Sequence, residues 1–398
     1  MKLYNHQIAF LKKNPKKCLL AWEMGTGKTR VAIEWVKQNK FKQVAIICPK
    51  ALKENWNREA ERWELESTRY IVFSKEEFRK LWAKIAWTEA IIVDEAHYFA
   101  GIKSAMTKSL MHFLKKNKVN NILLLTGTPY LSTPFNVYVL AHHLGYKINY
   151  MDFKFKFFNF VQMGARLIPV VKKGIEGEIA KIVRQIGDVV KLEDCIDVPE
   201  QLFIEEEFAL TAEQTKAIKE LSEPNPLTKF IKVHQITQGA LLGGEYAKDT
   251  FYPSNKLERL RELAEEHKKI AIVCRYNLQI DYISTHLNAI RRVLIIRGDV
   301  EDRDSVIREA EKLDECIILI QGECCEGYEL PSFGLIIFAS LSFSYKSYVQ
   351  MCGRFLRINK PKKNVYLHMI GGEIDREVYK AIKRKEDFNI EIYARKRN

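Results

Sequence analysis

No apolar run in this 398-residue chain approaches the ~20 residues that a bilayer-spanning helix needs, which argues against a membrane-embedded protein. The opening Met1-Lys2-Leu3-Tyr4 has no signal-peptide core, so export is not expected. Disulfide and zinc frameworks are missing too. The eight cysteines are scattered, form no Cys-x-x-Cys pair and fall mostly within apolar stretches, the pattern of reduced thiols in a cytosol. Disorder is excluded by composition, with 47% hydrophobic and 29% charged residues. The length exceeds one ordinary core and implies two domains. Acidic residues are the minority sign, 50 against 64 basic ones, and the net charge of +14 favours a polyanionic partner, nucleic acid first.

Against that background the chain is organised around Ala21-Trp22-Glu23-Met24-Gly25-Thr26-Gly27-Lys28-Thr29. The apolar run from Cys18 to Trp22 reads as a short buried strand, and Arg30 to Val36 carries apolar residues at helical spacing. Strand, glycine-rich turn, Lys-Thr and helix together cradle a triphosphate. The glycines let backbone N–H groups face the phosphates, and the helix N-terminus adds its positive dipole end. Lys28 then reaches the β- and γ-phosphates and the Thr29 hydroxyl meets Mg²⁺. The full eight-residue pattern has a glycine where this chain has Trp22. Upstream, Gln7 opens the first helix; its amide matches the donor and acceptor edges of adenine, although a helix-start residue is the simpler reading.

Four more apolar runs alternate with helical patterns: Gln43 to Pro49, Arg69 to Phe73, Glu89 to Val93 and Asn121 to Leu125. They predict a parallel, doubly wound sheet whose active edge lies at the strand C-termini. Glu89 to Val93 runs into Asp94-Glu95-Ala96-His97, two carboxylates delivered at a strand end. Asp94 there holds Mg²⁺ and Glu95 orients or deprotonates the attacking water. Thr126-Gly127-Thr128-Pro129 ends the last run with small hydroxylated residues able to reach those acids. Pro49-Lys50 leaves the same edge and suits a phosphate backbone or plain solvent. Ser74-Lys75-Glu76-Glu77 has capping-box spacing, so Ser74 reads as a helix cap that could still lie near a phosphate.

From Tyr150 aromatic and basic residues interleave, and the stretch to Lys191 reads as helical or irregular; Glu205 to Phe208 and Leu210 to Gln214 read as a strand and the helix after it, and Gly239 to Gly244 as a flexible loop. Ser254-Asn255-Lys256-Leu257 then starts a second αβ series without a phosphate loop. Its strands are Ile270 to Cys274, Val293 to Ile296, Cys316 to Ile320, Leu335 to Phe338 and Val365 to His368. Near its end, Gln350-x-x-Gly353-Arg354-x-x-Arg357 places two arginines one helical step apart, suited to stabilising a transferring phosphoryl group.

In order and spacing these stretches resemble superfamily-2 helicases and translocases, and within them the Swi/Snf-type remodeller branch in a compact, phage-like form. The resemblance covers nearly the whole chain. It implies two RecA-like doubly wound parallel-sheet lobes with a helical insert between them: a first lobe over 1–148, insert and linker over 149–248, and a second lobe over 249–398. It further implies ATP with Mg²⁺ at Gln7, Met24, Gly25, Thr26, Gly27, Lys28, Thr29, Gly327 and Glu329, with Thr29 and Asp94 on the metal. Catalysis is implied for Lys28, Asp94, Glu95, Gln350, Arg354 and Arg357, and nucleic-acid contact for Pro49, Lys50, Ser74 and Thr128. The run Gln321 to Leu330 departs from the family pattern, with Glu329 in place of an asparagine and Cys324-Cys325 in place of paired glycines. The activity implied is ATP-driven movement on duplex or branched DNA in replication, recombination or repair, in a bacterial or phage-infected cytoplasm. An RNA helicase and an ATP-gated clamp are the alternatives, and no wedge or hairpin for strand separation is legible.

Overall fold

A computed structural model describes residues 3–65, 67–85, 88–127, 133–163, 166–195, 201–243, 248–324, 327–356, 364–384, 386–388 and 390. The chain divides into two compact units, Met1–Asp197 and Val198–Asn398.

In the first unit five strands form in the expected places: β1 (Lys17–Trp22), β2 (Gln43–Cys48), β3 (Arg69–Ser74), β4 (Ala90–Val93) and β5 (Asn121–Leu125). The helix Tyr150–Phe157 leads into an antiparallel ribbon of β6 (Phe158–Met163) and β7 (Arg166–Val171), and the helix Glu176–Ile186 leads into β8 (Gly187–Val190). The main sheet has the order β3-β2-β4-β5-β1-β8 with every pairing parallel. Successive side chains of a strand point to opposite faces. Here both sets are apolar and feed separate cores. Leu19, Ala45, Ile47, Ile91, Val93 and Leu124 pack with Phe78, Leu110, Phe113 and Val183 on one face. Leu20, Val44, Ile46, Ile92 and Leu125 pack with Phe10, Ile33, Trp35 and Trp56 on the other. Strands covered on both faces read as continuous apolar runs, which is why these five were visible in the sequence.

In the second unit β9 (Gln201–Phe208) precedes a small pair, β10 (Ala240–Leu241) and β11 (Thr250–Phe251). The parallel series follows as β12 (Lys269–Cys274), β13 (Val293–Ile296), β14 (Cys316–Gln321), β15 (Leu335–Phe338) and β16 (Asn364–Gly371). These strands and β9 form a second all-parallel sheet, ordered β13-β14-β12-β15-β16-β9. It too separates two apolar cores. A fully buried polar cluster ties its helices together. Asp375 accepts from Lys256 Nζ at 2.5 Å, Gln238 Nε2 at 2.9 Å and the Gly371 N–H at 2.8 Å, with His234 Nε2 at 2.7 Å. Lys256 also donates to Gln238 Oε1 and to the Ala339 carbonyl.

Both units are thus the expected doubly wound RecA-like lobes, each with six strands: the first adds β8 to the five read from the sequence, and in the second the short strand read at Glu205 to Phe208 is the end of β9, which joins the expected five. The stretch 149–248, expected as insert and linker, is shared between the units. Its β8 completes the first sheet and its β9 the second. β8 comes so close to β1 that a Cβ on Gly187 would stand 2.1 Å from the Leu19 carbonyl oxygen, so the position is restricted to glycine. The stretch from Tyr150 holds the β6–β7 ribbon as well as helix, a hairpin that the residue pattern did not show. Among the described residues no helix is long and apolar enough to cross a membrane. Cys18, Cys48, Cys274, Cys316 and Cys352 are buried with free thiols.

Candidate nucleotide-binding site

β1, β5 and β4 lie side by side, so their C-terminal ends deliver the phosphate-type turn, Thr126 and Asp94-Glu95 to one edge of the first sheet. The turn after β1 depends on Gly25 and Gly27, both at φ +79, and Lys28 and Thr29 are the first residues of the helix Lys28–Asn39. Glycine carries that left-handed φ without the Cβ penalty other residues meet. Lys28 Nζ donates to the Trp22 and Glu23 carbonyls at 2.8 and 3.1 Å, and Thr26 Oγ1 donates to the Glu23 carbonyl at 2.7 Å. Trp22, standing where the pattern has glycine, is fully buried, and its indole N–H reaches Asp188 of β8 at 2.9 Å. Glu23 accepts the Leu192 N–H at 2.9 Å, so the segment after β8 braces the turn from the other side. These braces join residues some 170 positions apart, which no local pattern announces.

Gln7 is buried under the turn. Its Oε1 accepts the Tyr4 N–H at 2.9 Å, while Nε2 donates to the Thr26 and Gly27 carbonyls at 3.4 and 3.3 Å. A Cβ on Gly27 would lie 2.3 Å from that Nε2. Gln7 therefore supports the turn as well as starting the helix Asn5–Lys13.

Asp94 and Glu95 are both 8% exposed. Asp94 Oδ2 accepts the Trp56 indole N–H at 2.9 Å and Oδ1 accepts the Glu95 N–H at 2.9 Å. Burial, then the neighbouring Glu95 charge, hold the Asp94 carboxyl above the usual carboxylate range, against the opposing pull of Trp56 and Lys28. Glu95 has φ +48, a left-handed conformation that costs a non-glycine residue ~1–3 kcal/mol and turns the chain sharply into the 3₁₀ segment Ala96–Phe99. His97 Nδ1 lies 3.0 Å from Glu95 Oε2 and 3.3 Å from Thr126 Oγ1. Thr126 thus meets the carboxylate pair through His97. Thr128 lies outside the described residues.

The remaining expected positions are more dispersed. Pro49 is buried and Lys50 exposed at the start of the turn Lys50–Leu52. The Ser74 hydroxyl accepts the Glu77 N–H at 3.1 Å in a complete capping box, and the residue is only 3% exposed, so its oxygen is occupied as a cap. In the second unit Gln350 and Arg354 are buried on the helix Tyr345–Arg354. Arg354 Nη1 donates to the Tyr328 carbonyl at 2.9 Å. That helix stops at Arg354, and Arg357 lies outside the described residues. Gly327 sits at φ +93 and Glu329 is exposed.

The family model described as "Helicase conserved C-terminal domain" matches residues 255–359. The chain is 24% identical to the Xenopus tropicalis "SWI/SNF-related matrix-associated actin-dependent regulator of chromatin subfamily A-like protein 1", over 95% of this chain and 43% of that protein. It is 28% identical to the mouse "DNA annealing helicase and endonuclease ZRANB3", over 33% of this chain and 15% of that protein. The yeast "ISWI chromatin-remodeling complex ATPase ISW1" is 29% identical over 34% of this chain and 14% of its own length. The chain therefore spans less than half the length of these relatives. Its fold is similar to that of the Pyrococcus furiosus Hef helicase domain, with a TM-score of 0.56, 14% identity, and 95% of this chain and 98% of that one covered. The phosphate-type turn and acid pair of the first lobe, and the matched helicase domain of the second, are what this chain has in common with superfamily-2 helicases of Swi/Snf type, the family it resembles.

Proposed function

We propose that this chain is an ATP-dependent DNA translocase, coupling ATP hydrolysis to movement along duplex or branched DNA. The observation that carries the reading is the convergence of Lys28, Thr29, Asp94, Glu95 and, through His97, Thr126 on one sheet edge. Two adjacent buried carboxylates with mutual repulsion suit a divalent cation, and a hydroxyl and a carboxylate are hard oxygen donors of the kind Mg²⁺ takes. Thr29 and Asp94 would hold it. Bound Mg²⁺ supplies charge neutralisation at the β- and γ-phosphates. Lys28 would exchange the Trp22 and Glu23 carbonyls for phosphate oxygens, and Glu95 would align the attacking water. We assign Gln350, Arg354 and Arg357 to the transferring phosphoryl group, Gln7 to the adenine side, and Gly327 and Glu329 to the nucleotide. Pro49 and Lys50 are assigned to the nucleic-acid side, with Thr128. Ser74 would act there only by setting its helix. The DNA-acting helicase named among the relatives supports DNA as the polymer, and the net charge of +14 supports a polyanion.

ATP turnover measured without polymer and with duplex, single-stranded and forked DNA or RNA tests this. Turnover should rise about tenfold or more with duplex or forked DNA, a change of about 1.4 kcal/mol in barrier. Lys28→Ala should lose at least about 10²-fold, as removal of a transition-state donor does. Unchanged wild-type turnover with DNA would sink the reading. Stimulation by RNA alone would make the chain an RNA helicase. Failure to displace a triplex strand despite stimulated turnover would make it a clamp.

A further inference from the structure

Asp94 has both carboxylate oxygens engaged inside the protein, and one partner comes from an element with no ATP-site motif. Trp56 lies in the first turn of the helix Lys53–Arg62, is 0% exposed and packs in the apolar core with Ile46, Cys48 and Ile92. Its indole N–H meets Asp94 Oδ2 at 2.9 Å. That helix follows directly on Pro49 and the turn Lys50–Leu52, where Lys50 is exposed. Its start is also tied to the neighbouring helix by Lys53 on Glu77 at 2.8 Å. The same rigid turn of helix therefore carries an exposed lysine segment at its entrance and the donor to a proposed Mg²⁺ ligand on its inner face.

We propose that Trp56 is a positioning residue: its N–H orients the Asp94 carboxylate for Mg²⁺ and links nucleic acid held at Pro49–Lys53 to the hydrolysis rate. The proposal rests on the translocase reading and adds a named route to it. A polymer phosphate drawn to Lys50 shifts the helix entrance, and Trp56 passes that shift to Asp94. The Glu95 N–H holds the other oxygen, so Trp56 is the adjustable partner. A tryptophan serving the core alone would make the same apolar contacts with no consequence for metal affinity.

The test compares wild type with Trp56→Phe, which keeps the aromatic ring in the core and deletes the donor. Mn²⁺ binding followed by electron paramagnetic resonance in the presence of ADP should weaken about 10–100-fold, the effect usual for a lost partner of a metal ligand. kcat should fall while KM for ATP stays within about twofold, because the phosphate turn is untouched. Activation by duplex DNA should drop towards one. In the wild type, the Trp56 indole N–H resonance, assigned through its own side-chain correlations, should move on addition of Mg²⁺–ADP and again with duplex DNA. That measurement stands even if the variant folds poorly. Wild-type Mn²⁺ affinity in Trp56→Phe, or a Trp56 resonance indifferent to Mg²⁺–ADP, overturns the positioning role. A weakened metal with full DNA activation overturns the link alone. A wild-type enzyme that DNA does not stimulate overturns the translocase reading instead, and leaves the metal measurements to decide Trp56.

Discussion

Asp94 and Asp375 are the same residue, both buried in lobes of the same plan, and their surroundings act on them in opposite senses. Around Asp94 there are two neutral donors and an adjacent carboxylate, and burial pushes its pKa up. Around Asp375, burial pushes upward as well, but the Lys256 ammonium and the bonds from His234 and Lys256 outweigh it and hold the carboxyl well below its usual range. In the first arrangement the Lys28 charge does not outweigh burial and Glu95; in the second the Lys256 charge does. A raised carboxyl stabilises the fold only while protonated, below about pH 4, and that contribution disappears as pH rises through the raised value. A depressed one stabilises above about pH 4 and loses its contribution as pH falls toward the depressed value. Charge in the first lobe is free to serve the Mg²⁺ role proposed for Asp94, whereas charge in the second holds helices in place.

The largest effect expected from this contrast comes from removing one partner in each lobe. Lys256→Met leaves the Asp375 charge buried without its cation and should cost about 3–5 kcal/mol in urea unfolding. Asp94→Asn should stay within about 1 kcal/mol of wild type in the same experiment, since its ionised form already carries the burden of burial and of Glu95. Equal losses in the two variants would erase the distinction.

A smaller effect should be shared by the lobes. His143, on the helix Phe135–His143, and His368, on β16, are pushed down to about 4 by burial, against the Phe99 and Ile204 carbonyls that each approaches. Both imidazoles fold neutral. Their contribution is complete above about pH 6.5 and is lost as pH falls through the folded value. Between pH 7 and pH 5 each should remove about 2 kcal/mol, read from urea midpoints at the two pH values. A flat profile would show that folding lowers the pKa of neither ring.

The smallest separates structure from function at one position. Ser74→Ala removes the cap oxygen that accepts the Glu77 N–H and should cost about 1 kcal/mol. ATP turnover and salt-dependent DNA affinity should not change beyond that. A drop in DNA affinity with unchanged stability would return Ser74 to the nucleic-acid surface.

What could be read from residue order was the part governed by local physics. Ten strands were visible because burial on both faces leaves unbroken apolar runs such as Ala90 to Val93 and Cys316 to Ile320. The strand at one edge of each sheet was harder. β8 is four residues long and includes Gly187 and Asp188, while of β9, which alternates little and carries three successive glutamates, only Glu205 to Phe208 was legible as a strand. Gly25, Gly27, Lys28 and the Asp94-Glu95 pair announced themselves by spacing. Their supports did not: Asp188 under Trp22, Leu192 on Glu23 and Trp56 on Asp94 are long-range hydrogen bonds, and nothing in a tryptophan's neighbours says which acid its N–H will find. Arg354 shows the converse. Spacing marked it for the phosphoryl group, while the folded lobe also gives it the Tyr328 carbonyl.

The buried thiols bear on how such a chain can be labelled. Five of its eight cysteines are inaccessible, four of them inside strands, and burial pushes Cys18 and Cys352 up to about 12. Thiolate is the species that maleimides capture, so these sites resist alkylation at neutral pH. A cysteine introduced on the exposed β6–β7 ribbon, for instance at Val161, would be a far faster target for a fluorophore than any of those five.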